Sequence, residues 1–172
     1  MINQPNIEPI SVTDIERKLY GIDRDEAYRL EEQFEHVFLD ATNTYKRIIV
    51  PAGLIYDGAS VPRGTWTVSG ILPDGLIRAA ALVHDYIYIN GGAMPAGTYQ
   101  THLGHSGEWI PCRAPIKRGV ADSLFCEIMK LAGMPSWKVR VSWVAVRSFG
   151  WASWGSRVGK THIHTGARNN AE

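Results

Sequence analysis

The order of hydrophobic and polar residues between positions 27 and 56 is typical of short β-strands. Within 27–39, apolar and charged residues alternate, and turn-forming residues follow at 40–43. Residues 46–50 form a second β-type run, and residues 54–56 form a third short one. Such alternation between turns predicts an antiparallel arrangement of strands. The Glu and Leu content of 27–39 also fits a helix, so this segment is left open between the two.

Helical periodicity replaces the strand pattern after residue 75. Residues 75–88 are apolar nearly all round, which predicts a helix buried on most of its sides. Residues 117–132 form a second predicted helix, which Gly133 and Pro135 end. Its apolar stripe is Val120, Leu124, Ile128 and Leu131.

A third helix is predicted from Trp137 to about Trp154, with Ser136 as its N-cap. It is rich in Trp, and we interpret it first as a core helix with aromatic anchors. A protein interface and a membrane-surface helix are the alternatives, since Trp and Arg favour both. Arg140 and Arg147 lie seven residues apart and are expected on its solvent side.

These elements predict an α+β fold, with a small antiparallel sheet from the N-terminal half packed against three helices from the C-terminal half. We expect a single domain over 1–172 with its core at about 26–154. Residues 1–25 are then an N-terminal extension and 155–172 a polar tail. Residues 90–115, rich in Gly, Pro, Thr and Ser, are expected to form a long loop or a small hairpin.

Composition excludes several classes of protein. With 45% hydrophobic and 20% charged residues, the 172-residue chain is typical of a folded globular protein. Its formal net charge of +1 provides no global attraction to nucleic acid, which is not expected as a partner. No apolar run approaches the about 18 residues of a membrane span, and no secretory signal pattern is present. Cys112 and Cys126 are expected as reduced thiols, with one bridge as the alternative.

Four polar residues occupy apolar surroundings and are the candidate site. His84 and Asp85 lie inside the most apolar predicted helix. Asp57 follows an apolar strand, and Asp122 lies at the margin of the second helix's apolar arc. A buried carboxylate must be paired, hydrogen-bonded, metal-bound or protonated. Tyr88, four residues after His84, is placed to touch it.

Two interpretations of this cluster stay open. In the chemical one, His84 and Asp85 bind a divalent metal, or a carboxylate orients His84 as a general base. In the structural one, the cluster is a network of ion pairs and hydrogen bonds that joins the strands to the helices. Arg63 is placed to neutralise one carboxylate. We favour the structural interpretation on the residues alone.

Other histidines carry weaker signals. His102 and His105 lie near Glu108, but the spacing matches no metal motif and exposed loop histidines are expected. His162 and His164 alternate in the polar tail, where the same expectation holds.

Four segments resemble a family of phage and prophage proteins, domain-of-unknown-function family 1353. They are Val50–Arg63, Ala81–Tyr88, Lys117–Phe125 and Val144–Trp151. The resemblance covers roughly residues 26–154 and implies a phage or prophage origin, without an established activity. The family's pattern includes positions that match the whole candidate cluster, namely Asp57, His84, Asp85 and Asp122.

Two functions are expected from this resemblance and these residues. The first is a virion component of the tail or baseplate, or a tail-assembly protein, with other phage structural proteins as partners. Such a protein is found in the virion or the host cytoplasm, and a homo-oligomer is left open. The second is a small hydrolase of the bacterial envelope, in which His84 with Asp57, Asp85 or Asp122 holds a metal or activates water.

Overall fold

The computed structural model describes residues 2–14, 17, 26–56 and 77–155 of the chain. Within these ranges the protein contains strands, three α-helices and one 3₁₀ turn. In chain order they are β1 (Ile7–Ser11), β2 (Glu26–Leu30), β3 (Phe34–Leu39), β4 (Tyr45–Val50), β5 (Ile55–Tyr56), α1 (Arg78–Ile89), β6 (Tyr99–His102), β7 (Trp109–Pro111), α2 (Arg118–Leu131), α3 (Ser136–Phe149) and the 3₁₀ turn Gly150–Ala152.

The strands form two small antiparallel sheets, which confirms the predicted α+β class. One sheet has the order β1-β2-β5 and the other β3-β4-β6-β7. The sequence predicted one sheet, because alternation identifies strands but not their partners. Residues 1–25 contribute β1, which pairs with β2 along its whole length. Residues 90–115, expected as a long loop or a small hairpin, contribute the hairpin of β6 and β7.

Segment 27–39, left open between helix and strand, forms β2 and β3. Alternate residues of β3 are buried: Phe34, His36 and Phe38. Pairing with β4 places Ile48 opposite His36 and Val50 opposite Phe34. One face of this sheet therefore joins the hydrophobic core. Burial of that face is the reason that the segment forms strands rather than a helix.

Helix α1 lies at the centre of the core. Eleven of its twelve residues are buried, as its uniformly apolar sequence predicted. It contacts α2 along one side and β4 along another. Polar side chains on this helix must therefore find their partners inside the protein.

Helices α2 and α3 are joined by a tight turn. Gly133 adopts a left-handed conformation with φ of 85°. Its N–H donates to the carbonyl of Lys130 at 2.9 Å, and the N–H of Met134 donates to that of Met129 at 3.0 Å. These two bonds form the Schellman motif expected of a glycine after a helix. So short a connection makes α2 and α3 antiparallel neighbours.

Two details of the third predicted helix are wrong. Ser136 is its first residue rather than its cap, because Pro135 occupies the N-cap position and no side chain caps the helix. The α-helix ends at Phe149, and only a 3₁₀ turn continues towards the predicted end at Trp154.

The expected burial of the aromatic side chains of α3 is also wrong. Only Val139, Ser142, Ala145 and Val146 of this helix are buried. Its large apolar side chains are instead exposed, as are Val120 and Leu131 of the α2 stripe. Helix α3 packs mainly on α2, so one narrow stripe of small residues completes its contact with the core.

No helix among the described residues combines the length and apolar character needed to cross a bilayer. Cys112 and Cys126 are both free thiols, as expected.

Candidate functional site

The structure brings three of the four candidate residues together. His84 and Asp85 lie on α1 and Asp122 on α2, and their relative exposures are 4%, 3% and 0%. Asp122 is thus fully buried, deeper than the margin where the sequence placed it. Asp57 and Arg63 lie outside the described residues.

Asp122 accepts hydrogen bonds from three side chains on two other helices. The Tyr88 hydroxyl donates to Oδ1 at 2.6 Å, and His84 Nε2 donates to the same oxygen at 3.2 Å. Arg147 Nη1, on α3, donates to Oδ2 at 2.9 Å. A carboxylate only accepts, so Nε2 of His84 carries a proton in this arrangement. Both oxygens of the buried carboxylate are therefore compensated.

His84 is held between two aromatic rings and two carboxylates. Its ring centroid lies 4.0 Å from that of Tyr88, as the sequence spacing suggested, and 5.0 Å from that of Phe125. Nδ1 lies 3.7 Å from Asp85 Oδ1, which is an ion-pair rather than a hydrogen-bond distance. Both ring nitrogens thus face a carboxylate, an environment that favours the doubly protonated cation.

The pKa values of the site follow from these contacts. Burial lowers the pKa of His84, but its interactions with Asp122 and Asp85 outweigh burial and raise the pKa above its usual value. Burial raises the pKa of Asp122, while hydrogen bonds from His84, Tyr88 and Arg147 outweigh it and bring the pKa to about 2. Burial, followed by the Asp122 carboxylate, raises the pKa of Tyr88. These shifts favour an ionised carboxylate on Asp122, a protonated ring on His84 and a neutral phenol on Tyr88.

Arg147 is the member of the site that the sequence missed. It was expected in solvent with Arg140, yet its side chain is 38% exposed and its guanidinium reaches the buried Asp122. It passes Gly119, where an added Cβ would lie 3.7 Å from Nη1. The Nη1 of Arg118 donates to its backbone carbonyl at 3.3 Å. Sequence spacing does not separate Arg147 from Arg140, because both lie on the same side of the helix.

Tyr88 also fastens the end of α3 to α1. The N–H of Gly155 donates to its carbonyl at 2.9 Å, and its ring meets that of Trp154 edge to face at 4.9 Å. A Cβ on Gly150 would lie 2.6 Å from the Tyr88 hydroxyl. Glycine at 150 is thus required for the hydroxyl to reach Asp122.

Comparison with known proteins places the chain in one family. Residues 29–146 match the family described as "Protein of unknown function (DUF1353)". The chain belongs to this family. The matched region contains the whole predicted cluster and ends one residue before Arg147. No curated protein matches the chain, and no solved structure matches it.

The described part of this DUF1353 protein offers a poor metal site. Among those residues, no group of three or more His, Cys, Asp or Glu side chains is arranged to hold a metal ion. The Asp122 carboxylate already pairs with the Arg147 guanidinium, whose positive charge opposes a second cation. His84 has both nitrogens turned towards carboxylates, which favours the protonated ring, and a protonated ring has no lone pair for a metal or a substrate proton. This arrangement is typical of a structural ion-pair network.

Among the other histidines, His102 and His36 have defined packing. The expectation of an exposed loop is wrong for His102, which is half-buried on β6 between Tyr45 and Trp109, with ring centroids 6.3 Å and 5.0 Å away. His36 was not singled out by the sequence, yet it is buried on β3 and burial lowers its pKa to about 4. Its Nε2 has no hydrogen-bond partner among the described residues. His105 is exposed, as expected, while His162 and His164 lie outside the described residues.

Proposed function

We propose that this DUF1353 protein is a bacteriophage tail or tail-assembly component that works by binding another protein through α3. The observation that carries the proposal is a run of large apolar side chains, exposed by 37% to 69%, on α3 and the turn after it. Large apolar side chains exposed as a group, rather than singly, mark interaction sites on proteins. We call these residues the α3 face; they are Trp137, Val141, Trp143, Val144, Phe149 and Trp151.

The buried network supports this role by fixing the position of α3. Few residues of α3 are buried, so packing alone holds the helix weakly. The bond from Arg147 to Asp122 joins α3 to α2, and Tyr88 and His84 join α2 to α1. An interface presented in one orientation loses less entropy on binding.

The resemblance of the four sequence segments to a phage and prophage family supports a phage origin, and the tail is proposed as the place where a binding protein would act. An assembly protein needs surfaces for its neighbours and no reacting group, which fits an exposed helix and a closed polar cluster. Other phage structural proteins are the proposed partners, in the virion or in the host cytoplasm during assembly.

A hydrolase is the less favoured function. A catalytic histidine needs a free nitrogen within reach of substrate, whereas His84 is buried and both of its nitrogens face carboxylates. Asp122 is buried as well and pairs with Arg147. The geometry supports a network that stabilises the fold over one that transfers protons.

The test compares two exposed aromatic residues in phage whose genome carries this gene. Particles and tail-assembly intermediates are purified from phage with the natural chain, with Trp143→Ala, and with the control Tyr45→Ala on the sheet. We expect quantitative mass spectrometry to find the natural and Tyr45→Ala proteins with the assemblies, and Trp143→Ala at about a tenth of that level or less. Absence of the natural protein from both fractions, or equal recovery of the two variants, contradicts the proposal.

A further inference from the structure

We propose that the groove between α2 and α3 binds an acidic amphipathic helix of the partner protein. This inference rests on the proposed function, and it names the chemistry of the partner. The groove has a volume of about 950 Å³. It is lined on the α2 side by Ser123, Cys126, Glu127 and Lys130, and on the α3 side by Ser136, Val139, Arg140, Trp143 and Val144.

The dimensions of the groove fit a helix. Its lining spans residues 123–130 of α2 and 136–144 of α3, which is about two turns on each side. A third helix laid between two antiparallel ones also completes a bundle.

The lining supplies an apolar base with polar edges. Cys126 and Val139 are buried, and the half-exposed Trp143 and Val144 continue the apolar surface towards the α3 face. This pattern suits a helix that places apolar residues at positions i, i+3 or i+4, and i+7. Trp143 is the expected anchor, since aromatic residues dominate the binding energy of such contacts.

The groove is lined by two cations and one carboxylate, Glu127, and its net positive charge favours an acidic partner. Helix α3 contains no Asp or Glu and carries Lys138, Arg140 and Arg147, of which Arg147 pairs with the buried Asp122, although the whole chain has a net charge of only +1. Arg140 on α3 and Lys130 on α2 line the groove. Both are exposed, and neither forms an ion pair with any described residue. Carboxylates beside the apolar stripe of the partner would neutralise them.

Charge and shape disfavour two other occupants. A second copy of the chain would bring Arg140 and Lys130 of one protomer towards their equivalents in the other, where like charges repel. A lipid surface needs a flat or convex apolar face, whereas this surface is a concave groove between two helices. A helical peptide meets neither obstacle.

The experiment selects partners without assuming their sequence. A displayed library of random peptides of about 16 residues, about four helical turns, is panned against three forms of the full chain. They are the natural protein, the double variant Lys130→Glu/Arg140→Glu, and the control Arg113→Glu/Lys117→Glu, which makes the same change of net charge outside the groove. The most enriched peptide is then synthesised and titrated by fluorescence anisotropy.

We expect the natural protein and the control to enrich peptides with Asp or Glu beside a helical apolar stripe. Lys130→Glu/Arg140→Glu should bind the synthesised peptide about tenfold more weakly or worse and enrich basic sequences instead. Failure to enrich any peptide, or enrichment that ignores the charge reversal, overturns the inference. So does charge-dependent sedimentation with phosphatidylcholine–phosphatidylglycerol vesicles, or a natural protein that is a dimer and becomes monomeric on Trp143→Ala.

The two proposals can fail separately. If Trp143→Ala is lost from phage assemblies but selected peptides are not acidic helices, the interaction role stands and the partner chemistry is wrong. If acidic helices bind in the groove but the natural protein is absent from particles and assembly intermediates, the tail assignment is wrong and the groove assignment stands.

Discussion

At the scale of single residues, Asp122 is the charge on which the buried network depends. Its carboxylate accepts hydrogen bonds from the imidazole of His84 and the phenol of Tyr88 on α1, and from the guanidinium of Arg147 on α3. Removing one partner from such a group costs more than the bond contributes, because the other charges stay buried. The energetic effect of a substitution here thus reports on all three helices.

Asp122→Asn is expected to destabilise the fold by about 2–4 kcal/mol. The amide keeps an acceptor for Tyr88 and His84 but turns N–H donors towards Arg147 and removes the negative charge. Urea unfolding followed by circular dichroism measures the difference. Glu127→Gln, an exposed change of the same chemistry on the same helix, should stay within about 0.5 kcal/mol. Equal stability of the two variants would show that the network contributes nothing to the fold.

Two buried histidines have pKa values shifted in opposite directions. The pKa of His36 falls to about 4 through burial, so the unfolded chain binds more protons between about pH 4 and 6.5 and stability rises with pH over that window. The pKa of His84 is raised through Asp122 and Asp85, against the lowering effect of burial. Its contribution is complete below pH 6.5 and is lost as pH rises through its folded pKa.

Stability should therefore pass through a maximum near pH 6.5. Chemical denaturation at intervals between pH 4 and 8 measures the profile. In the variant His36→Leu, the rise in the free energy of unfolding between pH 4 and 6.5, about 3 kcal/mol, should disappear. The fall in the free energy of unfolding above pH 6.5 should be unchanged. If the free energy of unfolding of this variant still rises between pH 4 and 6.5, His36 is not the cause of the rise.

At the scale of elements, α2 has a glycine near each end, and the two positions differ in whether glycine is required. Gly133 after the helix adopts a positive φ, and an added Cβ would touch nothing. Gly119 lies within the first turn, where a Cβ would make only an ordinary contact with Arg147. The backbone conformation therefore requires glycine at 133, while sterics permit alanine at 119.

Alanine at these two positions should change stability in opposite directions. Gly133→Ala is expected to cost about 1 kcal/mol because an L-residue is strained at positive φ. Gly119→Ala should add about 0.5 kcal/mol by reducing the freedom of the unfolded chain. Thermal unfolding of both variants beside the natural protein provides the comparison. A destabilised Gly119→Ala would indicate that the path of Arg147 tolerates no methyl group.

At the scale of the whole molecule, resistance to local opening is expected to be highest in the buried helix α1 and lowest in the surface helix α3. Helix α1 is buried along nearly all of its length, whereas α3 buries four of its fourteen residues. Local opening is cheapest where few apolar contacts are lost. Helix α3 depends instead on Arg147 and on the contacts of Tyr88 with the segment after the helix.

Hydrogen exchange should rank the helices in this order. We expect amides of α1 to exchange only on global unfolding and those of α3 to exchange fastest of the three helices. Mass spectrometry of peptic fragments after deuterium labelling measures the rates. In Asp122→Asn the protection of α3 should fall more than that of α1. Equal protection of α1 and α3 would mean that the surface helix is held by more than these contacts.

Sequence reasoning succeeded where local pattern and burial coincide. The apolar composition of 75–88 predicted a buried helix, and its polar members His84 and Asp85 are buried in α1. Alternation of apolar and polar residues predicted the strands, and Gly133 predicted the end of α2. It failed for α3, because periodicity identifies an apolar face without saying whether another element covers that face.

The sequence by itself determined the α+β class, the main helices and strands, and the burial of His84 and Asp85, because each depends on spacing and hydrophobicity along the chain. Tertiary structure alone decided that the strands divide into two sheets, that Arg147 rather than Arg140 reaches Asp122, and that the tryptophans of α3 face outwards. These outcomes depend on contacts between segments distant in sequence. Such contacts follow from how the elements pack in three dimensions, which no local pattern encodes.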